Sequence, residues 1–208
     1  MSFVEPGQFD MILRLRGRGI SNTNVLRAME KIPRSRFVPH DYVSQSYEER
    51  DLPIECGQVI LAPLTIAMLL QTLDVRKEHK VLHIGTGSGY MAALLARLSK
   101  RVYTIERYKT LIDSAELPLR KYATNSVVRH GDGRYGWKGQ APFERIVLSV
   151  STRLAPSALI DQMVDGGHMV CVIDDHLCKV DKSGGKTTET KILPLKLPKI
   201  EPGKAQAL

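Results

Sequence analysis

The sequence has few cysteines and no long apolar segment, and both features restrict the class of protein. Only three cysteines occur among 208 residues, and this odd, scattered set (Cys56, Cys171, Cys178) does not predict a disulfide framework. No segment approaches the roughly 18 to 20 apolar residues of a membrane-spanning helix. The first ten residues, MSFVEPGQFD, include acidic residues and no apolar stretch typical of a secretory signal. We therefore expect a cytoplasmic protein without a membrane partner.

Metal-binding patterns are also missing, because the six histidines and three cysteines show no spacing typical of a zinc site. The net charge of +8 comes largely from two segments. Residues 11–37 contain seven basic residues and one acidic residue, and residues 176–208 contain seven lysines and three acidic residues. Without interleaved aromatic residues or a nucleic-acid motif, this charge favours a solvated surface, and RNA or an acidic protein remains the alternative partner.

Apolar periodicity predicts helices and strands that alternate from residue 81 onward. A first helix is expected over residues 22–29, capped by Asn22 or Thr23 and ended by Pro33, and a buried helix over residues 64–73. The alternating part predicts strands over residues 81–84, 101–105, 126–133 (with a turn), 143–150 and 166–173, and helices over residues 90–99, 111–122 and 156–163. Residues 177–197 read as two strands joined by a Ser-Gly-Gly turn.

This order of elements predicts an α/β fold, a doubly wound Rossmann-like sheet with a C-terminal antiparallel hairpin. The length suits one domain with one core. We divide it into an N-terminal helical and loop cap (1–63), a Rossmann-like core (64–175) and the C-terminal hairpin (176–208).

The segment VLHIGTGSGY places three glycines, Gly85, Gly87 and Gly89, between a buried strand and a helix. Glycines there let the backbone turn sharply and approach a ligand at the helix N-terminus. We assign the whole turn, with Thr86 and Ser88, to cofactor binding. The turn alone suits a dinucleotide or S-adenosylmethionine equally well.

Two acidic residues narrow the choice of cofactor. Glu106 follows the second strand and is suited to accept hydrogen bonds from ribose hydroxyls of either nucleoside. Asp132, followed by Gly133, lies after the third strand, where a carboxylate can accept a hydrogen bond from an adenine amino group. Dehydrogenases rarely need an acid there, so the pair favours a methyltransferase over a nicotinamide oxidoreductase.

Several segments in order resemble the protein-L-isoaspartate (D-aspartate) O-methyltransferases: RGRGISNTNVLRAMEKIPRSRFVP, YEERDLPIECGQ, IGTGSGYMAALLA, RVYTIER, GDGRYGW and APFERIVLSV. The resemblance implies S-adenosylmethionine as cofactor and isoaspartyl-containing peptides or proteins as substrate. In this family the α-carboxyl of isoaspartyl residues is methylated and the ester collapses to a succinimide, which repairs aged proteins without a metal. It also implies that Ile60 and Arg107 contribute to cofactor binding.

The chain departs from the family in the acceptor loop. The family has Thr-Ile-Ser followed by Ala or Gln and Pro, whereas this chain has Val59, Ile60, Leu61, Ala62 and Pro63, so both hydroxyls are absent. Leu61 occupies the catalytic serine position. Losing a hydrogen bond to a charged oxygen costs about 1.5–3 kcal/mol. A methyltransferase with another acceptor, or a non-catalytic S-adenosylmethionine-binding protein, therefore remains an alternative.

Three further residues complete the predicted site. His83 occupies a strand position where the family has Asp or Glu, which helps to hold the amino-acid end of the cofactor. A protonated imidazole there would repel the ammonium and sulfonium groups. After the fourth strand, Ser151 and Arg153 are predicted at the rim of the substrate pocket.

Overall fold

The computed structural model describes residues 5–204, and parts of the predicted cap and hairpin segments, residues 1–4 and 205–208, lie outside the described residues. The core is one seven-stranded sheet flanked by helices. Its elements are β3 (Lys80–Ile84), α4 (Tyr90–Leu98), β4 (Arg101–Glu106), α5 (Lys109–Tyr122), β5 (Ser126–His130), β6 (Phe143–Thr152), α6 (Ser157–Ile160), β7 (Met163–Ile173), β8 (His176–Ser183) and β9 (Lys186–Pro194). The strand order in the sheet is β5-β4-β3-β6-β7-β8-β9. Strands β3 to β7 are parallel, and β8 and β9 are antiparallel.

Among the described residues, three α-helices and a small two-stranded sheet precede these elements. They are α1 (Gln8–Gly17), α2 (Thr23–Lys31), β1 (Leu52–Pro53), β2 (Val59–Ile60) and α3 (Pro63–Leu73). Asn22 caps α2 as predicted, because its side chain accepts hydrogen bonds from the backbone N–H groups of Asn24 and Val25. The strands β1 and β2 hold the acceptor loop in an antiparallel pairing.

The central strands of the sheet are buried on both faces, and their successive side chains point to opposite sides. Val81 and Val102 pack into the cluster formed with the cap and α4, whereas Leu82 and Ile105 pack into the cluster on the other face. All four side chains are at most 2% exposed. The predicted doubly wound sheet with its antiparallel hairpin is confirmed.

The structure differs from the sequence-based expectations at four places. The first is α1, a helix that was not predicted, whose buried residues Met11, Ile12 and Leu15 pack with the cap. Residues 59–63, treated above as the acceptor loop, include β2 and the first residue of α3. The helix predicted over residues 156–163 is only the four-residue α6, because the chain joins the sheet at Met163 opposite Phe143.

The fourth correction concerns Arg34, which was counted in the solvated basic segment. Its side chain is 0% exposed. A buried guanidinium must be satisfied by acceptors, and Arg34 donates hydrogen bonds to backbone carbonyls rather than to an anion. It is therefore a structural and site residue, and not part of a polyanion-binding surface.

Candidate active site

The candidate site lies at the carboxyl ends of β3, β4 and β6, where the strand order reverses on either side of β3. This is the usual place for a ligand in an open α/β sheet. The glycine turn between β3 and α4 has φ values of +89° at Gly85, +53° at Gly87 and +89° at Gly89. These conformations are open to glycine and costly for other residues. A Cβ at Gly89 would also lie 3.0 Å from Leu119 of α5, so this position is restricted by packing as well.

Glu106, the last residue of β4, fixes the turn against the neighbouring strand. One carboxylate oxygen accepts the N–H of Gly87 at 2.9 Å, and the other accepts the N–H groups of Arg107 at 2.8 Å and Tyr108 at 3.0 Å. The side chain forms no ion pair with Arg107, which pairs with Glu201 instead. Glu106 is thus a buried acceptor held at the sheet edge, and the oxygen that accepts the Gly87 N–H alone retains capacity for a further donor.

Two cavities meet at Glu106. The first, here called the loop-side cavity, encloses about 550 Å³ of space open to solvent. Its walls are the acceptor loop, the glycine turn, α4 and the end of β6: Gln58, Val59, Ile60, Leu61, Ile66, Gly85, Thr86, Gly87, Ser88, Tyr90, Met91, Glu106, Leu111, Ser149, Val150 and Pro198.

The second, the strap-side cavity, includes about 460 Å³ of space that is partly open solvent, and it lies beyond Glu106. Its walls are Gln58, Ile84, Gly85, Ile105, Glu106, Arg107, Tyr108, Gly133, Val150, Lys199, Ile200 and Glu201. An elongated ligand with a sugar in the middle would place the sugar at Glu106 and its two ends in the two cavities.

The acceptor loop is held from both sides by charged side chains. Arg34 donates to the carbonyls of Leu61 at 3.0 Å and Ile60 at 3.3 Å, and also to the carbonyl of Ser46. On the other side of the loop, the Asp51 carboxylate accepts the N–H of Ala62 at 2.6 Å. Because a planar peptide directs its C=O and N–H in opposite directions, the N–H of Leu61 faces away from Arg34.

Of the five predicted loop residues, Val59, Ile60 and Leu61 line the loop-side cavity, whereas Ala62 and Pro63 are not among its lining residues. Ala62 is the residue before α3, and Pro63 is the first residue of that helix. Leu61 is 6% exposed, so its side chain fills the wall of the cavity with apolar surface.

His83 lies behind the glycine turn and not on the wall of either cavity. Its Nε2 lies 2.7 Å from the Ser149 hydroxyl and its Nδ1 lies 3.1 Å from the Thr104 hydroxyl, which in turn contacts Thr86 at 2.7 Å. Burial lowers the pKa of His83 to about 3. The ring is therefore neutral at pH 7, and the repulsion considered above does not arise. Any influence on a ligand would pass through Ser149, which lines the loop-side cavity.

Asp132 is engaged by the protein itself. Its carboxylate accepts hydrogen bonds from the backbone and side chain of Arg134, and from the N–H of Gly203 at 2.8 Å. The Arg134 hydrogen bonds hold the pKa of Asp132 at about 2. Asp132 does not line either cavity, whereas Gly133 lines the strap-side one. A Cβ at Gly133 would lie 2.4 Å from Ile84, so packing requires a glycine there.

Residues 197–203 form a segment, here called the C-terminal strap, that closes the strap-side cavity. Ser151 holds the strap by donating its N–H to the Pro198 carbonyl at 2.7 Å and by accepting the N–H of Ile200 at 2.9 Å. Glu201 contacts both Arg107 and the Tyr108 hydroxyl. Ser151 thus supports a wall of the site and is not among the lining residues of either cavity.

The structure does not place Arg153 at the site. This residue, predicted at the rim of the substrate pocket, is exposed and lines neither cavity.

Sequence reasoning also missed several residues that line the site. The strap residues and Gln58 carried no periodic or motif signal that would have assigned them. Tyr90 and Met91 were predicted as part of a helix, and only the tertiary structure places them on the cavity wall.

The described residues 5–204 contain no group of three or more His, Cys, Asp or Glu side chains arranged to hold a metal ion. Within the same range, no helix is long and apolar enough to cross a bilayer.

The architecture has close counterparts among solved methyltransferases. A Plasmodium falciparum protein-L-isoaspartate O-methyltransferase, determined in complex with S-adenosyl-L-homocysteine, matches with a TM-score of 0.84 at 19% identity over 95% of this chain and 99% of its own. At this identity the match establishes the fold, which is that of a Rossmann-like methyltransferase.

The sequence comparisons then define the family. The family model for protein-L-isoaspartate (D-aspartate) O-methyltransferase matches residues 7–195. A Maricaulis maris protein-L-isoaspartate O-methyltransferase is 41% identical over the full length of both chains, and the Rhodospirillum rubrum enzyme of that name is 48% identical over 80% of this chain and 77% of its own. This chain belongs to the protein-L-isoaspartate (D-aspartate) O-methyltransferase family.

Proposed function

We propose that this protein transfers the methyl group of S-adenosylmethionine to the α-carboxyl of L-isoaspartyl residues in damaged proteins. Family membership over most of the chain carries the proposal, because full-length relatives at about 40% identity bear this enzyme name. The two cavities that meet at Glu106 support it from the structure. Three free cysteines fit the reducing, cytoplasmic setting expected from the sequence.

The residues present fit S-adenosylmethionine. In this assignment the free lone-pair site of the Glu106 carboxylate would accept a ribose hydroxyl, and Tyr108 and the C-terminal strap would hold the adenine in the strap-side cavity. The glycine turn would hold the methionine end in the loop-side cavity. The N–H of Gly203 already donates to the Asp132 carboxylate. Asp132 can therefore accept the adenine amino group, as predicted from the sequence, only when Gly203 moves away.

The reaction needs few proton-transferring groups. An isoaspartyl carboxylate has an ordinary pKa near 4 and is already ionised at pH 7. S-adenosylmethionine supplies a sulfonium-bound methyl group with a neutral thioether as leaving group. The protein must therefore align the carboxylate oxygen with the methyl carbon and exclude water, for which a largely apolar cavity wall is suited.

A transfer assay tests the proposal directly. Labelled S-adenosylmethionine is incubated with the protein and an isoaspartyl peptide, and the matched aspartyl peptide serves as the control. We expect base-labile label on the isoaspartyl peptide alone. Equal labelling of both peptides, or none of either by folded protein, would reject the function.

One specific observation favours a second candidate, a cofactor-binding protein with another acceptor or none. Val59 and Leu61 present apolar surface where the family has hydroxyls, and Leu61 is buried in the cavity wall. Calorimetry with S-adenosylhomocysteine separates the two candidates. Micromolar binding without transfer to isoaspartyl peptide would favour the second.

A further inference from the structure

The buried hydroxyl of Tyr90 has no hydrogen-bond partner among the residues that the structure describes. Tyr90 is the first residue of α4, is 1% exposed and lines the loop-side cavity. Its ring packs on Phe37 with centroids 5.4 Å apart, so the ring position is fixed by the core. A buried hydroxyl without a partner is destabilising, so the Tyr90 O–H is available to an acceptor that a ligand supplies.

A buried positive charge lies close to this hydroxyl. The guanidinium of Arg34 acts electrostatically on Tyr90, and its Nε is also buried without a partner among residues 5–204. Burial raises the pKa of Tyr90 well above its ordinary value, so the group remains a neutral O–H donor at pH 7. The Tyr90 O–H and the Nε–H of the Arg34 cation, both without a partner among the described residues, are together complementary to an anion.

The apolar acceptor loop faces the same cavity. Val59 and Leu61 line it without offering a side-chain donor, yet the proposed substrate enters as a carboxylate. We infer that the Tyr90 hydroxyl binds the acceptor carboxylate and supplies the side-chain hydrogen bond that the loop lacks. This inference rests on the proposed function and names the residue that recognises its substrate.

The assignment leaves the chemistry balanced. One carboxylate oxygen accepts the Tyr90 O–H, and the other attacks the methyl carbon. The new O–CH₃ bond forms as the S–CH₃ bond breaks, the electron pair remains on sulfur, and no proton changes place. The positive charge of Arg34, which acts on Tyr90 but does not itself line the cavity, favours an anion at this hydroxyl.

Tyr90→Phe tests the inference by removing one oxygen atom while keeping the ring on Phe37. A hydrogen bond to a charged group is worth about 1.5–3 kcal/mol, which corresponds to a rise of roughly 10- to 150-fold in KM for the isoaspartyl peptide. We expect the Kd for S-adenosylhomocysteine to stay within about twofold, because the cofactor does not use this hydroxyl.

Tyr122→Phe is the matched control. Tyr122 also packs on Phe37, at 5.7 Å, but does not line either cavity, so its KM for the peptide should equal that of the wild type. Unfolding in urea supplies a second measurement. Without substrate, Tyr90→Phe should be as stable as the wild type or more stable, since it removes an unpaired polar group.

The outcomes separate this inference from the proposed function. Wild-type transfer with an unchanged peptide KM in Tyr90→Phe overturns the inference alone. A destabilised Tyr90→Phe with unchanged KM shows a structural hydrogen bond, through buried water, and also overturns it. Absence of wild-type transfer to the isoaspartyl peptide rejects both.

Discussion

Glu106→Gln tests the central assignment of the site. The variant keeps the size of the side chain but replaces one carboxylate oxygen with an NH₂ group, which donates and cannot accept. In the wild type one oxygen accepts the N–H of Gly87, and the other accepts those of Arg107 and Tyr108. Whichever way the amide is oriented, at least one backbone N–H faces another donor.

The expected losses of affinity and stability in Glu106→Gln follow from these contacts. If the remaining amide oxygen accepts the N–H groups of Arg107 and Tyr108, the hydrogen bond from the Gly87 N–H is lost. The ribose then loses both the negative charge and one acceptor. At about 1.5–3 kcal/mol for a hydrogen bond to a charged group, the Kd for S-adenosylhomocysteine should rise roughly 10- to 150-fold. The freed backbone N–H should lower the free energy of unfolding by about 1–3 kcal/mol.

Isothermal calorimetry, performed well below the unfolding temperature of the variant, measures the change in Kd. Glu116→Gln is the control, because Glu116 is an exposed residue of α5 that pairs with Arg120 on the same helix and lines neither cavity. Its Kd should match that of the wild type. A Glu106→Gln variant that binds as tightly as the wild type would refute the position of the sugar and, with it, the division of the site into two ends.

Three further predictions concern neighbouring residues. The pKa of His83 is about 3 in the folded protein and near 6.5 when unfolded, so its neutral form contributes stability that is full above pH 6.5 and is lost as the pH falls towards 3. At pH 5 the free energy of unfolding is lower by about 2 kcal/mol for this reason. In urea unfolding, the decrease in this free energy from pH 7 to pH 5 should be smaller by that amount in His83→Asn than in the wild type, and an equal decrease would contradict the burial argument. Gly133→Ala places a Cβ 2.4 Å from the side chain that ends β3 and should lower the free energy of unfolding by about 1–3 kcal/mol. Gly139→Ala is the control, because its Cβ would meet nothing within 4 Å and its stability should be near that of the wild type. Equal stability of the two variants would show that the end of β3 shifts at little cost. Leu61→Ser combined with Val59→Thr should raise kcat/KM for the isoaspartyl peptide by up to roughly 10- to 150-fold, and an unchanged value would show that the loop side chains do not reach the carboxylate.

The part of the site that could be predicted from the sequence is the part built by local chain geometry. The strand, glycine turn and helix around Gly85 are adjacent in sequence, and their left-handed conformations require glycine. Glu106 was found because it ends the next strand at the same sheet edge. A parallel α/β arrangement brings such strand ends together whatever the detailed packing.

The remaining parts depend on contacts between residues far apart in the chain. Arg34 binds the carbonyl of Leu61 across 27 positions, and the N–H of Gly203 reaches Asp132 across 71. Neither contact produces a periodic pattern. Arg34 was therefore read as a surface residue, and Asp132 as a free acceptor for adenine.

The sequence by itself determined the order of helices and strands, the antiparallel hairpin and the glycine turn, because each depends on side-chain periodicity or on backbone conformations within a few residues. Only the tertiary structure decided which polar groups face the cavities and which are satisfied by the protein. His83 became a neutral, buried residue because Thr104 and Ser149 enclose it, and the hydroxyl of Tyr90 was left unpaired. Burial and hydrogen-bond pairing are properties of the whole packed core, so no local pattern could have specified them.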